Sequence, residues 1–193
     1  MNQQTLALPT LASALWPASS SNSWARSIIL ALAGSLLLYV SAKIQIPFWP
    51  VPMTMQTFAV LLIGVAYGWR LGGATVLLYL AEGAIGLPVF AKGGGLAYMT
   101  GPTGGYLIGF LVAAVVVGWL AEKGWDRSPV TTVLAMLAGE VLIFGFGAAW
   151  LGNMTGLDKA IAAGVTPFLA AEVFKIALAT ALLPTAWRLL KKS

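Results

Sequence analysis

The sequence predicts an all-α integral membrane protein: six helices crossing a bilayer, with both termini on the cytoplasmic side. Three observations carry that prediction. Of 193 residues, 59% are hydrophobic and 9% charged, whereas a water-soluble domain is about a quarter charged. The apolar residues gather into runs, several close to the ~20 residues that a helix needs to cross hydrocarbon. The basic residues are distributed unevenly between the connections, as the orientation of a multispan protein requires.

Residues Met1 to Ser23 are polar, small and poor in charge. They lack the positive leading region of a signal peptide, and Pro9 and Pro17 interrupt any apolar stretch. A flexible cytoplasmic tail is expected here, with Trp16 at the interface. Residues 24–193 then form a single transmembrane domain. The first span is Ile28 to Ile46. Three prolines in Pro47-Phe48-Trp49-Pro50-Val51-Pro52 stop it. The second, shorter span is Met55 to Tyr67, closed by Trp69-Arg70, an aromatic and a cation suited to the interface. The third runs from Leu71 to Leu87 and ends at Pro88. A glycine-rich stretch from Ala91 to Gly105 follows. The fourth span is Tyr106 to Leu120, the fifth Val130 to Trp150, and the sixth Pro167 to Leu183. A polar connector, Gly152 to Gly164, joins the last two.

Six spans set Arg26, Arg70, Lys123, Arg127, Arg188, Lys191 and Lys192 on the side of the termini. Lys43, Lys92 and Lys159 lie on the other side. The bias makes the terminal side cytoplasmic and places the chain in the cell membrane. It also accounts for the net charge of +5 without nucleic acid, since no basic patch with interleaved aromatics occurs. The chain has no cysteine and no histidine. That excludes thiolate chemistry, disulfides and imidazole metal sites, and no metal or cofactor is expected.

Four charges fall well inside spans: Glu82, Glu140, Glu172 and Lys175. Each costs several kcal/mol in hydrocarbon and is a site hypothesis for that reason. Glu172 and Lys175 are three residues apart, so they share a helix face. Measured from Pro167, they lie ~7 and ~12 Å below the outer end of the sixth span. Glu82 reaches a similar depth on the third. Glu140 is near the middle of its span, which suits helix packing or a neutral carboxyl better than ligand contact. A structural ion pair is one explanation of Glu172 and Lys175. The other is a ligand with both donors and acceptors, such as a cyclic urea. Its two N–H groups would donate to the carboxylate and its carbonyl would accept from the ammonium.

The outer connections differ in character from the inner ones, and ligand sites concentrate on loops held by a rigid scaffold. Phe48, Trp49, Phe90, Tyr98 and Tyr106 lie in or near them, as an apolar wall for a ligand or as part of an interfacial aromatic belt. The glycine-rich stretch lacks the Gly-Lys-Ser/Thr ending of a phosphate-binding loop. Its glycines suit a loop folded back over a ligand. Ala31 and Ser35 on the first span have the spacing that permits close helix approach.

Three segments together resemble the BioY family, the biotin-specific S components of energy-coupling-factor (ECF) transporters. They are Ile46 to Thr57, Gly83 to Ala91 and Gly101 to Phe110, in the family's order and spacing. The resemblance covers roughly Trp24 to Leu190. It implies a six-helix subunit that captures biotin from outside with high affinity. Such a subunit works with a transmembrane scaffold subunit and two ATPase subunits. The family's acid and lysine, three apart on the sixth helix, fall on Glu172 and Lys175. The family's acid is usually aspartate, and the glutamate here adds a methylene. The family's asparagine near the third helix has no counterpart, and Glu82 or Lys92 is the candidate substitute. Lys92 or loop amides would meet the biotin carboxylate. Small residues on the first helix of S components dock to the scaffold, which points to Ala31 and Ser35. Two rival readings remain: an S component for another small vitamin, and a membrane-embedded enzyme using Glu140 or Glu82 as acid/base.

Overall fold

The computed structural model describes residues 8–17 and 23–190. Its elements are α1 (Leu11–Leu15), α2 (Ser23–Lys43), β1 (Gln45–Ile46), β2 (Met53–Thr54), α3 (Gln56–Ala84), α4 (Leu96–Met99), α5 (Gly104–Glu122), α6 (Pro129–Thr155), α7 (Leu157–Gly164), a 3-10 turn (Thr166–Phe168) and α8 (Leu169–Leu190). Five stretches among the described residues are long and apolar enough to cross a membrane: Ser23–Lys43, Gln56–Ala84, Gly104–Glu122, Pro129–Thr155 and Leu157–Leu190.

The sequence reads six spans because it separates the second and third runs, which α3 joins. Gly68 interrupts α3 with φ +80° and ψ 172°, a backbone conformation that a residue with a Cβ rarely adopts. The chain reverses there. A Cβ on Gly72 would lie 3.0 Å from the Cα of Gly64, whereas eight residues of straight helix are ~12 Å long. The two halves of α3 therefore lie side by side, and α5 packs against both. The turn is tight enough that a Cβ on Gly118 would meet the Trp69 nitrogen at 2.6 Å.

The other helix ends have local causes. The Ser128 hydroxyl accepts from the Thr131 N–H, and Pro129 occupies the first turn of α6, where it costs no hydrogen bond. Gly156, at φ +88°, ends α6 and lets α7 begin at once. The expected polar connector thus contains a helix of its own. Ile44 to Ile46, expected to end the first span, leave α2. Gln45 and Ile46 pair antiparallel with Thr54 and Met53, which closes the proline-rich loop as a hairpin over one end of the bundle.

Leu61, Val76, Val117, Met136 and Ile143 are fully buried between α3, α5 and α6. Outward-facing positions are apolar too, among them Leu32, Leu36, Val141 and Val173. A helix bundle apolar on both faces is matched to lipid. At the end away from the hairpin, residues 8–16 pack onto the bundle instead of forming a free tail. Leu11 is buried, and the Leu8 N–H donates to the Glu122 carbonyl at 2.8 Å. The rest of the expected tail (1–7 and 18–22), with Lys191 and Lys192, lies outside the described residues.

Candidate functional site

Two in-span charges meet on the first turns of α8. Lys175 Nζ lies 2.8 Å from Glu172 Oε1, and both residues are only 4% exposed. The ammonium also donates to the Thr54 carbonyl at 2.7 Å and to the Thr57 hydroxyl at 2.9 Å. Thr57 in turn donates to the other carboxylate oxygen, Glu172 Oε2, at 2.9 Å. An ammonium has three protons, so Lys175 is completely satisfied. The desolvation cost of both ions is offset by a closed ring of charge-assisted hydrogen bonds.

Thr57 is where the ring borders an aromatic cavity, while Lys175 also lines a separate cleft of about 240 Å³ with Thr54 and Phe174. The aromatic cavity, of about 40 Å³, lies between the first turn of α3, the α5 N-terminus, α6 and the loop after α3. Thr54, Gln56 and Thr57 contribute its polar surface. Phe90, Tyr98, Tyr106, Phe144 and Phe168 form its apolar walls. Phe90 stacks on Tyr98 with ring centroids 5.1 Å apart, and Phe144 meets Phe168 at 5.8 Å. The volume holds a few waters at most, so a ring-sized ligand requires one wall to move.

Phe90 is the wall with a built-in seat. It is 1% exposed, and its ring occupies the space over Gly83. A Cβ on Gly83 would come within 1.9 Å of the ring. The loop carrying Phe90 is tied down through its carbonyls. Lys43 Nζ donates to those of Pro88 and Phe90 at 2.9 and 2.8 Å. Gln45 Nε2 donates to Ala91 at 3.1 Å, and the Tyr79 hydroxyl to Val89 at 2.9 Å. Tyr79 also accepts from Gln56 Nε2 at 2.7 Å. The roof is therefore coupled to the cavity floor through one hydrogen-bonded chain.

Several sequence-predicted residues converge here and others do not. Phe90, Tyr98 and Tyr106 line the cavity, and the Tyr106 hydroxyl donates to the Gly164 carbonyl at 2.7 Å. Burial pushes the Tyr98 phenol above its usual pKa. Trp49 is 85% exposed and is not on the wall, because the proline-rich loop turns its ring outward. Lys92 is exposed at the rim, where it donates to the Phe48 carbonyl at 3.4 Å. Glu82 faces away from the cavity and accepts from the Ser35 hydroxyl. That bond also corrects the reading of Ser35 as a docking residue: it is 2% exposed, held between α2 and α3. Ala31, half-buried one turn earlier, remains near the outward face. Glu140 is buried on α6 toward Glu172 and Lys175, and neither carboxyl oxygen makes a hydrogen bond of ordinary geometry among the described residues. Thr57, Gln56, Tyr79 and Phe168 were not singled out by the sequence.

The sequence profile of the BioY family matches residues 9–192. The chain belongs to the BioY family. Among its BioY relatives are a probable biotin transporter of Pyrococcus horikoshii, 38% identical over 156 residues, and a biotin transporter of Thermotoga maritima, 39% identical over 156 residues. Each alignment spans 80% of this chain, and 92% and 91% of the relative, respectively. The fold is similar to the crystal structure of the S-component for biotin from an ECF-type ABC transporter. The TM-score is 0.75 and the identity 25%, with 89% of this chain and 95% of the other covered. The BioY match takes in every residue of the ion-pair ring and of the cavity.

Proposed function

We propose that this BioY-family chain captures biotin at the outer face of the cell membrane, as the substrate-binding subunit of an ECF-type vitamin importer. The observation that carries the proposal is the buried Glu172–Lys175–Thr57 ring at the edge of an aromatic cavity. Biotin has a ureido head with two N–H donors and one carbonyl, on an apolar sulfur ring and alkyl chain. Glu172 accepts from the ureido N–H groups and Lys175 donates to the ureido oxygen. Because Lys175 is already saturated, the ureido oxygen must replace the Thr57 hydroxyl or the Thr54 carbonyl. The exchange preserves the count of hydrogen bonds for a urea but not for an apolar ring, which makes it selective. The aromatic walls take the sulfur ring and chain. Lys92 at the rim, or the loop amides beside it, meets the carboxylate.

The reversal at Gly68 supports two spans within α3 and hence six in all, with both termini on one side. Arg26, Arg70, Lys123, Arg127 and Arg188 then lie at the end away from the cavity, and Lys43, Lys92 and Lys159 at the cavity end. That asymmetry makes the cavity end external and the termini cytoplasmic. The site binds and releases without making or breaking bonds, so the energy of import comes from two ATPase subunits through a transmembrane scaffold subunit. Ala31, on the outward apolar face of α2, serves docking to that scaffold.

Equilibrium binding of labelled biotin to the purified chain in detergent tests the proposal, with unlabelled vitamins as competitors. Displacement by biotin alone is the expected result. Displacement by another vitamin in preference to biotin would assign the site to that vitamin and overturn the reading.

A further inference from the structure

A second cavity lies at the opposite end of the bundle, about 510 Å³ in volume, between α1, the start of α2, the Gly68 turn and the end of α5. Arg26 and Arg70 both line it, together with Tyr67, Trp69, Ser13 and Glu122. The guanidinium groups carry two positive charges, and neither arginine is in an ion pair among the described residues. Arg26 spends one N–H on the Ala12 carbonyl at 2.8 Å. Its Nε is buried and has no hydrogen-bond partner among the described residues. Arg70 is exposed, with its guanidinium 4.9 Å from the Trp69 ring centroid. The one acid in the cavity, Glu122, accepts from the Trp69 N–H at 3.3 Å, so its carboxylate is committed to the turn. Two cations against one acid leave the cavity net positive.

The position of the cavity decides the ligand class. It sits where three apolar helical segments end, with Trp69 and the half-buried Leu71 in its lining. Ends of membrane-spanning helices that carry tryptophan and arginine belong at the head-group level of a bilayer. A guanidinium fork matches a phosphate oxygen pair, and basic pockets between membrane helices hold anionic head groups. We propose that this cavity is a binding site for the head group of an anionic phospholipid, held by Arg26 and Arg70. Bound there, the lipid would also clamp α1 onto the bundle, because Arg26 holds the Ala12 carbonyl with one N–H and the phosphate with others.

Native mass spectrometry of the full chain in detergent tests this, with phosphatidylglycerol or phosphatidylcholine added. The wild-type chain is expected to retain phosphatidylglycerol and not phosphatidylcholine. The R26Q/R70Q variant is expected to retain it roughly thirtyfold less, from the contribution of two basic residues near a membrane surface. R26K/R70K, which keeps both charges, is expected to retain an intermediate amount. Equal retention of phosphatidylglycerol by the wild type and R26Q/R70Q would overturn the proposal. So would equal binding of soluble glycerol phosphate, which would make the cavity a site for free anions. Unchanged lipid retention with loss of a co-purifying subunit would assign it to a protein contact instead. Biotin binding, at the other end of the bundle, checks that the variants are folded.

Discussion

The Thr57 hydroxyl lies 2.9 Å from both Lys175 Nζ and Glu172 Oε2, bridging the two ions across the contact between α3 and α8. Of the three side chains in the ring, Thr57 is the one that also borders the cavity, next to Thr54, whose carbonyl accepts from Lys175. Thr57 thus joins the electrostatics of the pair to the space a ligand would enter. In T57V both hydrogen bonds go and the shape stays. We expect a loss of about 1–3 kcal/mol in stability, since a buried ammonium and a buried carboxylate each lose a partner. Thermal melting in detergent reads it.

The ion pair predicts a specific non-additivity. Removing one partner leaves a bare charge in a low-dielectric interior, at a cost of about 3–5 kcal/mol, whereas replacing both by apolar residues is far milder. E172L and K175M are each expected to melt well below the wild type. The E172L/K175M double variant is expected to melt above either single one. A double variant melting at the sum of the two losses would show that the residues are not coupled.

Gly83 and Phe90 fit as seat and ring, so G83A forces the ring out of its place. Overpacking of this kind costs about 1–3 kcal/mol. The penalty falls on the roof, and we expect biotin affinity to drop at least tenfold with the helical content unchanged. Circular dichroism with equilibrium binding separates the two effects.

Lys43 anchors the same roof from α2. With the lysine gone in K43M, the Pro88 and Phe90 carbonyls lose their charged donor. Biotin dissociation is expected to quicken about tenfold, equivalent to ~1.4 kcal/mol. A filter-retention chase with unlabelled biotin measures it.

Asp126 lies outside the spans, between α5 and α6, and is buried. Burial raises its carboxyl above the usual range, against the opposing hydrogen bond from the Trp187 indole and the charge of Arg127. The folded state therefore favours the protonated acid. Its contribution to stability is fully present below the unfolded pKa and is lost as pH rises through the folded one. D126N keeps an acceptor for Trp187 and stays neutral. It is expected to melt above the wild type at neutral pH, with the margin narrowing as pH falls.

The buried pair was legible because an acid and a base one turn apart interrupt an otherwise apolar run, and hydropathy registers charge above all else. Thr57 and Gln56 give no such signal. A hydroxyl or an amide at the start of a helix is ordinary. Thr57 gains its importance from α8, more than a hundred residues away in sequence, and Gln56 from Tyr79, on the far side of the Gly68 turn. The turn at Gly68 was marked by Trp69 and Arg70, which favour the interface. Ser35 was read as a docking residue, and Glu82 as either a structural partner or a ligand contact, because the sequence does not show that α2 and α3 place them together. Trp49 was misplaced for a related reason: an aromatic in a proline-rich loop has no periodicity to tell which way it points. The helix at Leu11–Leu15 was hidden by its shortness and by the prolines on either side.

The most direct test of the central claim is the biotin affinity of the E172L/K175M variant, measured beside its melting curve. Our account predicts a folded protein whose affinity is weaker by at least a hundredfold, or ~2.7 kcal/mol. A folded double variant that binds biotin as tightly as the wild type would contradict it.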